Sequence, residues 1–373
     1  MLRKTHSLTP TSRRFTVLVA ASVLLVLSAG RLWAAEDATA TASSFLPSPV
    51  RSVSTVPANG DLNPYGVAFV PAGFPAGGTI QPGDILVSNF NNSDNLQGTG
   101  TTIVTVPKAA APGLFFQGPK GIGLSTALAV FQEGLVVVGN FPTVDGSCAT
   151  AQVGSLLVLD AGGNSVGEVK SAAIQGPWDM TTFERGGGAV QLFVANALNG
   201  TVVRLDATAT ATGLTITQET RIASGYLHRC DPAALVVAPT GLAYDPVKDV
   251  LYVASTDDNA VYAVRGAGRT TADLGRGRVV YRDPRHLHGP NGMVLAPNGN
   301  LVVANSDAIN PDPKQTSTLV ELTTEGQFVR QISLDPLPGG AFGLGAANFG
   351  HLAHLAAVND SENTLTIWTL AMP

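Results

Sequence analysis

Five of the six histidines fall after residue 227, as His228, His286, His288, His351 and His354, and imidazoles gathered in one half of a chain raise the question of a shared metal. His228, His286 and His288 supply the donor type that zinc takes in catalytic sites. His351 and His354 stand three apart between two apolar runs and not on a helix, so their spacing implies no common ion. Oxygen donors are more numerous. Asn89, Asn140, Asn196, Asn305 and Asn359 each close an apolar run, and NNSDN (91–95), STDDN (255–259) and NDSEN (359–363) add acidic and amide groups beside such runs. These are calcium-type ligands without EF-hand spacing, and turns favour the same residues for their side-chain bonds to backbone. Calcium is therefore the candidate metal, and turn formation is the simpler account. The chain has no G-x-S-x-G nucleophile motif, phosphate-binding loop or paired-cysteine metal motif. Its two cysteines, Cys148 and Cys230, are too few for a structural zinc site and are expected to form a disulfide.

The elements that must carry these groups repeat. NPYG (63–66), GPKG (118–121), GPWD (176–179), APTG (238–241), GPNG (289–292) and the looser GAFG (340–343) recur at spacings of 55, 58, 62, 51 and 51 residues. After each comes an almost unbroken apolar run, such as DILVSNF, LVVVGNF, QLFVAN and LVVAN. Strands of that kind need burial on both faces, which sheets stacked around an axis provide. A third strand follows in every unit. A fourth, more polar strand follows in five, and the sixth unit ends with TLTIWTL.

The alternating VRSVSTVP (50–57) would supply the missing strand and close the ring. The expected fold is all-β, a six-bladed β-propeller over residues 50–373 with blades beginning near 64, 119, 177, 239, 290 and 341. A linear solenoid is the alternative, and it would want polar capping repeats. If the first strand of each blade lines the channel, the residues opening those strands ring one mouth. They are Tyr65, Lys120, Trp178 with Asp179, Thr240, Asn291 and Phe342, and His288 lies in a loop on the same face. Such a mixed ring suits a small ligand, and turn formation or packing is the plainer alternative. Asp179 replaces the Gly of the other clear units at a cost in turn flexibility.

On these residues the units resemble the NHL-repeat class of propellers, whose repeat runs P-x-G-apolar into a strand ending V-A-[DN]. APTGLAYDPVKDVLYVASTDDNAVYAV (238–264) and GPNGMVLAPNGNLVVANSD (289–307) carry the likeness best. The first and last units look like a group of exported bacterial propellers of unknown function. PNGMVLAPNGN is also similar to a segment of gluconolactonase-like propellers, a resemblance that implies a calcium-dependent lactonase or sugar-acid hydrolase with Asn291 as metal ligand. That family also wants an inward Glu in its first blade, where this chain opens with Tyr65 and has no Glu. Propeller lyases of the peptide-amidating type, with a histidine-bound zinc, are a further likeness. Their histidines open inner strands, where Thr240 and Asn291 stand here.

Residues 1–35 read as a signal peptide, with Arg3, Lys4, Arg13 and Arg14 before the sixteen-residue apolar stretch Phe15–Gly30 and small residues near a cut after Ala34 or Ala35. That stretch is short for a span of about twenty residues. Residues 36–49 read as a flexible lead-in. Cleavage would leave 17 basic against 27 acidic residues, a net charge of −10. An acidic product argues against nucleic acid and anionic membranes. The expectation is an exported monomer, periplasmic or extracellular, that binds a small molecule, glycan or protein at the channel mouth.

Overall fold

The computed structural model describes Leu46 and residues 51–371. The expected signal peptide, and the lead-in apart from Leu46, lie outside the described residues. Among the described residues the regular elements are strands plus one 3-10 turn, Cys148–Thr150. Six four-stranded antiparallel sheets form the blades of a β-propeller. Each blade runs from an inner strand through a second and third to an outer strand, in chain order. The inner strands are Leu62–Phe69, Leu124–Val130, Pro177–Gly186, Pro239–Asp245, Pro290–Leu295 and Ala341–Phe349. Arg51–Ser54 supplies the outer strand of the last blade, pairing antiparallel with Thr364–Ala371 from Arg51 opposite Ile367 to Ser54 opposite Thr364. An early strand and the last strand of the chain thus complete one sheet, with Arg51–Ser54 as its outer edge.

The apolar second strands are buried along their length, as in Ile85–Asn91 and Leu301–Asn305. Their side chains fill clusters between neighbouring blades. Leu86 and Ile103 of blade 1 meet Leu128 and Val138 of blade 2, and Val137 and Val158 of blade 2 meet Leu192 and Val203 of blade 3. A strand with a partner sheet on each side has no wet face, so strict alternation would leave polar groups buried. Leu46, in the stretch expected to be free lead-in, instead packs in the cluster between blades 5 and 6. Its N–H donates to Glu321 Oε2 at 3.0 Å, and its carbonyl accepts from Arg330 at 2.7 Å.

The asparagines that close second strands are framework. Asn89, Asn196 and Asn305 each donate to the Thr hydroxyl that opens, or sits beside, the third strand and to a loop carbonyl, those of Thr55, Ala173 and His286. Asn140 bonds Ser155 in the same way. Each ties the second strand to its neighbour, the role that turn-favouring side chains play. A short hairpin between blades 3 and 4, Arg229–Asp231 with Leu235–Val237, has no counterpart in the other blades. Cys230 in it is bonded to Cys148 of blade 2, with the Cα atoms 5.6 Å apart.

Candidate functional site

Every inner strand pairs near its start with the end of the second strand and then slips register. Pro64 faces Asn89, Leu124 faces Asn140, Pro177 faces Asn196, Pro239 faces Ser255, Pro290 faces Asn305 and Ala341 faces Asn359. The bulge that follows turns the next residues towards the axis. Those residues are Tyr65, Ser125, Trp178, Thr240, Asn291 and Phe342. Lys120 is not among them. GPKG imitates the repeat, but it is an exposed turn before the inner strand of blade 2, which starts at Leu124.

The members of the mouth ring fill space and do not frame an opening. Tyr65 and Trp178 are 2% and 1% exposed, and Thr240, Asn291 and Phe342 are buried too. Tyr65 is stacked between Phe90 and Phe342, with ring centroids at 4.6 and 4.5 Å, and Trp178 meets Phe90 and Phe141 edge-on at 5.4 and 5.7 Å. Thr240 shares a hydrogen bond with Thr256 at 3.0 Å, and Ser125 donates to the Pro177 carbonyl of the next blade at 2.7 Å. The aromatic set plugs the axis and continues into the cluster between blades 6 and 1.

Below the plug lies a channel of about 210 Å³ walled by the inner strands, in which Asp179 is the one titratable lining side chain among the described residues. Its position is filled by Gly66, Gly241, Gly292 and Gly343 in four other blades. The reason is close approach and not turn flexibility: a Cβ on Gly241 would sit 2.0 Å from the Asn291 carbonyl, and one on Gly343 1.5 Å from that of Tyr65. Blades 2 and 3 carry Thr126 and Asp179 instead. Asp179 accepts a hydrogen bond from the Leu242 N–H at 3.0 Å, satisfying a group of the neighbouring inner strand. Burial pushes its pKa up to about 7 against the pull of that bond.

Above the plug is a second space of about 440 Å³, floored by Tyr65 and Phe342 and walled by blade 1, the 306–311 loop, Gly339 and Asp360. The tip of the disulfide-tied hairpin, Ala233 and Ala234, also lines it. Its polar atoms are unusual. Asp307, 9% exposed, accepts the N–H groups of Ser317 and Gly339 on Oδ2 at 2.8 and 2.9 Å, and its buried Oδ1 has no partner. Gln97 donates from Nε2 to the Ala233 carbonyl at 3.0 Å, which fixes the amide orientation and leaves buried Oε1 unpartnered. Asn63, whose N–H donates to Asn363 Oδ1 at 2.7 Å, has its own Oδ1 buried without a partner. Asp360 completes the lining; burial, then the nearby Asp335, pushes it up to about 7. Burial also raises Asp307, opposed by its two backbone bonds and by His288.

His288 lies beside this space and lines a neighbouring depression. It is 2% exposed, and its Nδ1 contacts the Asn310 carbonyl at 2.6 Å. A carbonyl only accepts, so Nδ1 carries the proton and Nε2, which has no partner, is an acceptor in the neutral ring. The three histidines proposed for zinc are used separately. His228 bonds the Tyr226 carbonyl through Nδ1, and His286 bonds the Tyr281 hydroxyl at 2.8 Å and stacks on Phe328. Among the described residues no group of three His, Cys, Asp or Glu side chains is placed to hold a metal. The gluconolactonase-type calcium set fits poorly as well. Asn291 is present, but the equivalent positions hold Tyr65, Ser125, Trp178, Thr240 and Phe342, and Asp179 is engaged by Leu242.

Three solved structures share the architecture. A gluconolactonase from Xanthomonas campestris is 16% identical, with 87% of this chain and 89% of that one aligned at a TM-score of 0.51. The calcium-binding protein regucalcin from Agrobacterium tumefaciens is 13% identical over 87% and 94% of the two chains, with a TM-score of 0.51. A putative glucose dehydrogenase from Thermus thermophilus is 14% identical over 86% and 99%, also at 0.51. These likenesses establish the fold. No family model and no curated protein matches the chain. Function therefore has to be argued from the site itself.

Gln97 and Asp307 were not among the candidates read from the sequence, and Asn63 and Asp360 entered only as parts of NPYG and NDSEN. Asp307 and Asp360 lie one or two places beyond a strand-closing Asn, in stretches whose composition reads as turn chemistry. Only their positions over the axis set them apart.

Proposed function

We propose that the protein is an exported propeller that binds a small molecule in the space between the aromatic plug and the disulfide-tied hairpin. One observation carries this reading: three residues that line one space, Asn63, Gln97 and Asp307, each carry a buried oxygen without a hydrogen-bond donor. A buried polar atom left unpaired costs about 1–3 kcal/mol, and three together mark a place where a ligand supplies the donors. The volume of about 440 Å³ suits a small molecule better than a polymer chain. Export is supported by the basic and apolar N-terminal sequence, and the Cys148–Cys230 bond is in keeping with an oxidising compartment.

The test is a fragment screen by ligand-observed NMR on the wild type and on Ala308→Trp, which fills the space from its wall. Binders lost in Ala308→Trp, with the melting temperature kept, are the expected result. A screen in which every binder is indifferent to Ala308→Trp places the site elsewhere and defeats the reading.

A further inference from the structure

We propose that the ligand of this space is a small organic cation, an amine or guanidinium with an apolar body. The inference rests on the binding reading above and specifies its chemistry.

The lining is rich in acceptors, with the Tyr65 hydroxyl and the Asn63 amide as its side-chain donors. Asp307, Gln97 and Asn63 each carry a buried oxygen without a donor, held in place in Asp307 and Gln97 by a bond made elsewhere on the same side chain, and Asp360 adds a second carboxyl group. The hydroxyl of Ser306, which also lines the space, already donates to the Gly289 carbonyl at 2.8 Å. A sugar hydroxyl both donates and accepts, so a sugar site needs donors as well as acceptors. An ammonium or guanidinium donates only, and its needs match what this wall leaves free.

Charge points the same way. Two carboxyl groups share the space, and among the described residues no Lys or Arg lines it. The groups facing Asp360 are Asp335 and Tyr65, and those facing Asp307 are His288 and Asp312. His288 stands beside Asp307, with its Nδ1 bonded to the Asn310 carbonyl. Ionising both carboxyls in a buried site therefore calls for a cation from outside. A bare ion would leave most of a space of about 440 Å³ to water, whereas an organic cation can also fill it with its body. Tyr65, Phe342 and Pro338 supply apolar surface for the remainder of such a ligand.

A cation binds the ionised carboxyls, and Asp360 titrates near neutrality, so binding at lower pH must expel a proton. Calorimetry of the full chain with agmatine, with glucose and with calcium chloride as separate probes, between pH 5 and pH 8, tests the proposal. Agmatine should bind, tightening by up to about tenfold per pH unit below pH 7 and levelling above it. Asp360→Asn should weaken agmatine at least about tenfold at pH 8 and flatten the pH profile, with its melting curve as the control for folding. Asp307→Asn should weaken it as well. Glucose binding that is lost in Ala308→Trp, without agmatine binding, overturns the cation class and leaves the binding reading standing. Calcium binding that needs Asp307 and Asp360 overturns it in the same way. If agmatine binds but is indifferent to both Asp variants, the proposal also fails. If no probe binds, the class is wrong, and the fragment screen decides separately whether the space binds anything.

Discussion

Above and below the Tyr65–Trp178–Phe342 plug the molecule encloses two polar spaces of opposite construction. Below, Asp179 spends its carboxylate on the Leu242 N–H of the adjacent blade, in a channel walled by the inner strands. Above, Asp307 holds two backbone N–H groups with one oxygen and leaves the other unpartnered, beside the unpartnered oxygens of Gln97 and Asn63. Both carboxyls are buried and both have raised pKa values. Burial and pKa therefore do not separate framework from site here. What differs is the number of unpartnered buried atoms on the lining residues, one below, Thr126 Oγ1, against three above, on Asn63, Gln97 and Asp307, each of which costs stability until something binds.

The largest effect should come from removing the partition. Trp178→Ala deletes a fully buried indole that packs on Tyr65, Phe90 and Phe141. A loss of about 3–5 kcal/mol is expected in urea unfolding, with the two spaces joined. A loss below about 1 kcal/mol would mean that the plug is loosely packed and that the two spaces are not separate. Next is the roof of the upper space. Replacing Cys148 and Cys230 together by Ser frees a link spanning 82 residues and should cost about 2–5 kcal/mol, read in the same unfolding experiment. Faster hydrogen exchange should be confined at first to the 229–237 hairpin, and exchange spreading equally to the channel walls would count against a local roof.

The lower space is tested by pH. Asp179 and Asp360 are both raised to about 7 in the folded protein. The folded state then holds protons that the unfolded chain has released above about pH 4. Stability is accordingly fullest below that pH with respect to these two groups, falls as pH rises to about 7, and is level beyond. Asp179→Asn keeps an oxygen for the Leu242 N–H and removes the titration. It should be more stable than the wild type at pH 8 by on the order of 1–3 kcal/mol, and the gap should close towards pH 4. A gap that is the same at every pH would show that Asp179 does not titrate in this window.

The contrast between the two spaces also explains what the sequence could disclose. Six blades were legible because each second strand must be apolar on both faces, so strings such as LVVAN declare their surroundings. The closing strand was legible because the sixth unit lacks one and VRSVSTVP has no neighbour of its own. The mouth ring was only partly so. GPKG has the composition of the repeat yet lies in a turn, while the true opening of blade 2, Leu124 to Thr126, has neither Pro nor Gly to mark it. The upper space was not legible at all. Its lining comes from blades 1, 5 and 6 and from a hairpin outside the repeat, so no spacing in the chain relates Asn63, Gln97, Asp307 and Asp360. Whether an oxygen is orphaned depends on the second atom of the same side chain finding a partner, which periodicity does not encode.

The smallest expected effect on stability discriminates best between site and framework. In Asp307→Asn the amide oxygen can still accept from Ser317 and Gly339, and the new NH₂ occupies the position of the orphaned oxygen, facing a space that Gln97 and Asn63 line with acceptors. The substitution removes a buried charge and adds donors where donors are lacking. It should leave urea stability unchanged or raise it by about 1 kcal/mol at pH 8, while agmatine binding is lost. If Asp307 served only Ser317 and Gly339, as Asp179 serves Leu242, Asp307→Asn would shift stability in the same direction as Asp179→Asn and leave agmatine binding unchanged. An Asp307→Asn variant with unchanged agmatine binding would therefore place Asp307 among the structural carboxylates and remove the difference between the two spaces.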